Sequence, residues 1–136
     1  MEKYQSKQVQ INRPAESIYT VLADFNNFTP IIQDKVEDWS VDGDTCSFKV
    51  KGFTARLRMV ERIPFSCVKV TGDEGSPFEF FFWIQLKEID QNDTRMRLTI
   101  HVKLNMMMKM MLGKKLENGI DEMAENIARA FNNAPI

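Results

Sequence analysis

The sequence predicts an α+β domain: one strand, two short helices, a run of six antiparallel strands and a long C-terminal helix packed over the curved sheet. Three observations carry this reading. Apolar residues recur at helical spacing near the start and at the end of the chain, they alternate with polar ones from Val36 to Leu104, and five methionines crowd Met106 to Met111 where alternation gives way to the last helix.

The chain has 136 residues, which fits a single domain spanning 1–136 and suffices to bury a core without disulfides or a structural metal. Its 18 Lys and Arg face 19 Asp and Glu for a net charge of -1, so it lacks the basic excess that supplies most sequence-independent nucleic-acid affinity. No nucleic-acid partner is expected. Met1 to Gln10 is polar, unlike a signal peptide, and no run of about 18 apolar residues is present to span a bilayer. A cytoplasmic location is expected.

Lys3 to Ile11 reads as the first strand, and Asn12-Arg13-Pro14 marks a helix start with proline in the first turn. Ile18, Val21, Leu22 and Phe25 then form one helical stripe. Phe28, Ile31 and Ile32 straddle Pro30 and suggest a second short helix, since proline suits a first turn and not a helix interior.

Turn chemistry sets the strand register beyond Val36. A two-residue turn at Gly43-Asp44 pairs Val41 with Cys46 and Trp39 with Phe48, and one at Gly52-Phe53 pairs Val50 with Ala55 and Phe48 with Leu57. Pro64-Phe65 sets Met59 opposite Val70. A three-residue loop, Gln91 to Asp93, aligns Leu86 with Leu98 and Ile84 with Ile100, which keeps one face apolar. The inner face then holds Trp39, Val41, Phe48, Val50, Leu57, Met59, Val68, Val70, Phe80, Phe82, Ile84, Leu98, Ile100 and Val102. The outer face carries Lys49, Arg56, Arg58, Lys69, Arg95, Arg97 and Lys103, as in an antiparallel sheet with one wet side. Cys46 and Cys67 fall on strands that are not neighbours and face opposite ways, so free thiols are expected.

Leu112, Leu116, Ile120, Met123 and Ile127 define the stripe of the last helix, which reaches Phe131. Gly113 and Gly119 fall at its edges. Projected backward, the stripe meets Lys109 and scatters the methionines around the helix. Either the regular helix begins nearer Met110, leaving Met106 to Met108 in the connection, or its first turn is apolar all round and touches something besides the sheet.

The element order resembles the helix-grip (START-like, SRPBCC) fold of the START and birch-pollen-allergen superfamily, whose bacterial members include polyketide cyclase and lipid-transport proteins. Val9 to Tyr19 is similar to its opening of strand, proline and helix, Phe25-Asn26-Asn27-Phe28-Thr29-Pro30 to its next short helix, and Thr94-Arg95-Met96-Arg97-Leu98 to its penultimate element. In the last case Gln91-Asn92-Asp93 stands where a glycine-bearing turn is common. The resemblance implies a cavity between sheet and last helix that takes lipids, sterols, quinones, polyketides or other apolar small molecules. The candidate ligand-binding residues are Phe28, Trp39, Phe48, Leu57, Met59, Phe80, Phe82, Ile84, Leu98 and Ile100 with Met106, Met110, Leu112, Leu116, Ile120 and Met123. A binding or carrier protein is the leading reading.

A cyclase or dehydratase acting in the same cavity is the alternative. Glu61 is then the candidate acid or base, because continuing the alternation from Leu57 and Met59 carries it to the cavity rim, unless the strand bulges, turns Val60 inward and sends Glu61 to solvent. Tyr4 and Tyr19 are remote hydroxyl donors. His101, the only histidine, projects outward opposite Trp83. No nucleophilic triad or zinc-ligand set is present, and methionines alone make a weak Cu(I) site, so neither metal nor cofactor is expected. Phe81 and Trp83, beside Arg97, His101 and Lys103, suggest cation-π packing or a protein interaction module on the convex face. The methionine run reads as a pliable gate at the cavity mouth or as a transient membrane contact. The expected state is a monomer or homodimer.

Overall fold

A computed structural model describes residues 1–50, 52–73 and 79–134. In chain order its elements are β1 (Glu2–Gln5), β2 (Val9–Ile11), α1 (Ala15–Leu22), a 3-10 turn (Phe25–Phe28), α2 (Thr29–Ile32), β3 (Glu37–Asp42), β4 (Thr45–Val50), β5 (Phe53–Ile63), β6 (Cys67–Gly72), β7 (Phe80–Asp90), β8 (Asp93–Val102) and α3 (Met106–Asn133). The strands form one antiparallel sheet in the order β1-β8-β7-β6-β5-β4-β3, with β2 also paired to β8. The expected α+β architecture is present, with α3 lying over β1, β2 and β8 and α1 over β6 and β7.

The first strand is divided where one long strand was expected. Gln5 pairs with Thr99 and Val9 with Met96, so the chain between them holds one residue more than its partner. Ser6 fills the gap. Its backbone N–H donates to Leu98 O at 2.8 Å, and its hydroxyl accepts from Leu98 N at 2.9 Å while donating to Lys7 O at 2.8 Å. The side chain thus replaces the ladder bond that the bulge removes.

Three hairpin registers differ from those read off the turns, and in each the inner face survives. Val50 pairs with Phe53 and Phe48 with Ala55, with Gly52 in the left-handed region at φ +83°. The turn is therefore centred one residue earlier than Gly52-Phe53. Ile63 pairs with Cys67, making the β5-β6 loop one residue longer than Pro64-Phe65, and a bulge between Met59 and Glu61 restores the expected Met59-Val70 pair. Asp90 pairs with Asp93 across a two-residue loop, and a bulge between Glu88 and Asp90 then aligns Ile84 with Leu98 rather than Ile100. A shift of two leaves every side chain on its own face, because the side-chain period is two. The side chain of Val50 lies outside the described residues.

The closed part of the core sits under the C-terminal half of α3. Ile11, Ile18, Met96 and Leu98 are inaccessible and belong to one buried cluster with Ile120, Ala124 and Ala128 of α3. Successive steps of four residues thus carry the buried face from Ile120 to Ala124 and Ala128, whereas Met123, expected in the stripe, is 47% exposed. Short alanines let the helix approach β2 closely. Polar contacts fix that approach: Lys7 N donates to Asp121 Oδ1 at 2.7 Å, Asn12 N donates to Asn132 Oδ1 at 2.7 Å, and the Lys7 ammonium pairs with Glu125. Near the other end of α3, a Cβ on Gly113 would stand 3.2 Å from Tyr4 Oη, so glycine there allows β1 and α3 to meet.

Candidate functional site

Away from this closed core, the same concave face is only half covered. Trp39 and Val41 on β3, Phe48 on β4, Leu57 on β5, Phe82 on β7 and Ile100 on β8 are partly buried and pack on the core from its open side. Alternation places them: Phe48, Leu57, Phe82 and Ile100 share strand parity with buried Cys46, Met59, Ile84 and Leu98, and Val41 pairs with Cys46 across β3 and β4. Phe28 joins from the 3-10 turn, its ring edge-on to Phe25 at 6.0 Å. Trp39 is anchored by its indole N–H, which donates to Thr29 Oγ1 at 2.8 Å, and its ring lies 6.0 Å from that of Phe48. Half-buried Leu112 and Leu116 on α3 continue the sheet-facing row that Ile120 closes.

The structure thus sorts the candidates into three groups. Phe28, Trp39, Phe48, Leu57, Phe82, Ile100, Leu112 and Leu116 retain accessible apolar surface, as does Phe80 at the start of β7. Met59, Ile84, Leu98 and Ile120 are fully buried in the core. Met106, Met110 and Met123 face solvent, because α3 is regular from Met106 onward and directs them away from its sheet-facing row. Asn105 caps that first turn, its Oδ1 accepting from Met108 N at 2.8 Å. A helix beginning near Met110 is therefore excluded.

Glu61 does not reach the rim. The bulge after Met59 pairs it with Lys69 on the convex side and leaves it exposed, while Arg62 takes the parity of buried Val68. Val60, which a bulge could have turned inward, is exposed as well. Arg62 is held by two groups: Nε donates to Ala23 O at 2.9 Å, and Nη2 donates to Asp44 Oδ1 at 2.8 Å and lies 3.2 Å from Met59 Sδ. It ties α1, the β3-β4 turn and β5 together at one border of the wall. The sequence signal for this clamp was the length of the β5-β6 loop, which a proline-led turn obscured.

The other polar candidates are dispersed. Tyr4 pairs with Ile100 and places its hydroxyl against Gly113, whereas Tyr19 meets Phe65 edge-on at 5.7 Å. His101 pairs with Phe81 rather than Trp83, but its ring still lies 4.6 Å from Trp83 on the convex face. Lys69 Nζ stands 4.7 Å above Phe81 and 5.3 Å from Trp83, a cation-π arrangement that accounts for this patch within the sheet. Cys46 and Cys67 are free; burial pushes the Cys46 thiol up to about 11, and burial followed by the charge of Glu61 raises that of Cys67.

A solvent-open groove of about 550 Å³ lies at the opposite end of β7 and β8, between Pro14, Glu16, Phe65, Glu88 and the Gln91-Asn92 turn. Its Glu88 carboxylate accepts from Ala15 N at 2.9 Å and so is committed to the start of α1. Among the described residues no helix is long and apolar enough to cross a membrane.

No family model and no curated protein matches the sequence. Solved structures do. The chain is similar to the Aha1 dimer from Colwellia psychrerythraea at 17% identity, with 98% of each chain covered and a TM-score of 0.73. It is similar to truncated norcoclaurine synthase from Thalictrum flavum at 10% identity, covering 99% of this chain and 95% of that one with a TM-score of 0.80. The same synthase in complex with dopamine and hydroxybenzaldehyde gives 12% identity, 99% and 89% coverage and a TM-score of 0.77. At these identities the likeness concerns the fold, which is the helix-grip fold.

Proposed function

We propose that this helix-grip chain binds and carries an apolar small molecule of the lipid, sterol, quinone or polyketide-like kind on the half-open concave wall. The supporting observation is the contrast along one sheet face: α3 packs over β1, β2 and β8 and its C-terminal half seals the core there, whereas Trp39, Phe48, Leu57 and Phe82, on strands farther from that helix, keep accessible apolar surface. Covering about 300 Å² of such surface is worth on the order of 7 kcal/mol before association costs. Shape and water exclusion would supply affinity, and the few polar groups at the border would orient a ligand.

The cyclase or dehydratase reading needs an acid or base on this wall, and Glu61 and His101 lie on the convex side. The carrier reading needs neither. Native mass spectrometry of gently purified protein tests it, the expected result being an added mass that organic extraction removes and that a matching lipid restores. Protein that is empty as isolated and fails to bind fatty acids, sterols and quinones would refute it.

A further inference from the structure

The N-terminal third of α3 turns its methionines outward. Met106, Met107, Met110 and Met111 are 80%, 71%, 81% and 66% exposed, and the inward face of the same turns is supplied by Leu112 and Leu116. At about 100° per residue the four fan over roughly 140° of the outer circumference, with Lys114 inside the fan and Lys115 at its flank. Solvent does not stabilise such a cluster, and among the described residues no element covers these four side chains.

The charge around them is lopsided. From Lys103 to Leu116 the chain carries Lys103, Lys109, Lys114 and Lys115 with no Asp or Glu, although its net charge is -1. All four lysines are exposed, and Lys109 also pairs with Glu2 at 3.3 Å. A partner for this surface must therefore offer apolar depth and negative charge together. A second copy docking the same patch would set lysines against lysines.

We propose that this end of α3 docks on the surface of an anionic lipid bilayer, with the methionines at the boundary of headgroups and acyl chains and the lysines on lipid phosphates or carboxylates. Thioether side chains are flexible and polarisable enough to pack among disordered acyl chains. An amphipathic helix of this kind lies in the interface, its apolar face about 5–10 Å deep, and basic residues at its border bind anionic headgroups. The proposal goes beyond the carrier reading and stands without it, since it rests on exposure and charge alone.

Sedimentation with vesicles tests it on the full chain. Vesicles of phosphatidylcholine with about one third phosphatidylserine should retain the protein, and pure phosphatidylcholine should retain far less. Each charge near an anionic surface contributes about fivefold in affinity, so K114E/K115E, which removes two positive charges and adds two negative ones, should lose on the order of 600-fold. M107S/M110S/M111S should lose retention at unchanged far-ultraviolet circular dichroism. Absence of binding to the anionic vesicles, or binding that neither variant weakens, would overturn the proposal. So would concentration-dependent self-association that the methionine variant abolishes while vesicle retention stays unchanged.

Discussion

Ser6→Ala should destabilise the protein by about 2 kcal/mol, far more than loss of one surface hydroxyl. Ser6 is 4% exposed, and its hydroxyl is the acceptor for the N–H of Leu98, itself at the centre of the core. Alanine leaves that N–H buried beside a bulge with no other acceptor in place, which costs about 1–3 kcal/mol. Lys7 O, the second partner, sits on an exposed residue and can turn to water at little cost. Urea unfolding followed by tryptophan fluorescence should show the midpoint falling by about 1 M at unchanged slope, given slopes of about 1–3 kcal/mol/M for small domains. Ser40→Ala is the control. Ser40 Oγ and Ser47 Oγ lie 2.8 Å apart on an exposed strand pair, and the loss there should stay within about 0.5 kcal/mol. If both variants unfold alike, the hydroxyl does not replace a ladder bond and the account of the divided first strand is wrong.

Gly119→Ala should stabilise by about 0.5–1 kcal/mol, because nothing lies within 4 Å of the added Cβ and alanine is the better helix former; thermal unfolding reads the gain. Gly113→Ala should gain less or lose, since its Cβ meets Tyr4 Oη at 3.2 Å. Iodoacetamide at neutral pH should label Cys67 well before Cys46, which is 3% exposed with a thiol pushed up to about 11, and equal rates in folded protein would contradict the burial. That same raised value favours the folded state below the ordinary thiol value of 9.0, and the contribution should fade as pH rises from there toward about 11; unfolding of Cys46→Ala should lack that alkaline slope. Asp93 runs the opposite way: its hydrogen bond from Arg95 holds the carboxyl below its usual value, so its contribution is present at neutral pH and lost in acid, a limb that Asp93→Asn should flatten.

Periodicity made the architecture legible. Alternation from Trp39 to Val102 assigned side chains to faces, and those assignments survived three displaced turns because each displacement came with a bulge or a shift of two. What alternation does not reveal is a bulge itself, since an extra residue leaves no compositional mark when its neighbours are mixed. That is why alternation alone leaves Glu61 open between the cavity rim and a bulge that sends it to solvent: the bulge after Met59 decides for solvent and gives Arg62 the parity of Val68. The divided first strand was hidden for the same reason, as Ser6 resembles an ordinary polar strand residue until Leu98 N is seen to need it. On α3 the apolar stripe misled at Met123, where small Ala124 faces the sheet, because hydrophobicity counts methionine above alanine while close helix-sheet packing rewards the smaller side chain. The methionine cluster was visible from the start, but only the capped first turn at Asn105 decides that its members point to solvent.

The two tryptophans lie on opposite faces of the sheet, Trp39 on the concave wall and Trp83 on the convex side beside His101. Quenching by a brominated fatty acid, which requires contact with the indole, therefore tests the central claim directly. With Trp83→Phe, leaving Trp39 alone, quenching should be strong and saturable, and adding Leu57→Asp should weaken it at least about tenfold by placing a carboxylate in the apolar wall. With Trp39→Phe, the remaining Trp83 should stay bright. Equal quenching of both indoles, or none of Trp39, would contradict a ligand site on the concave face.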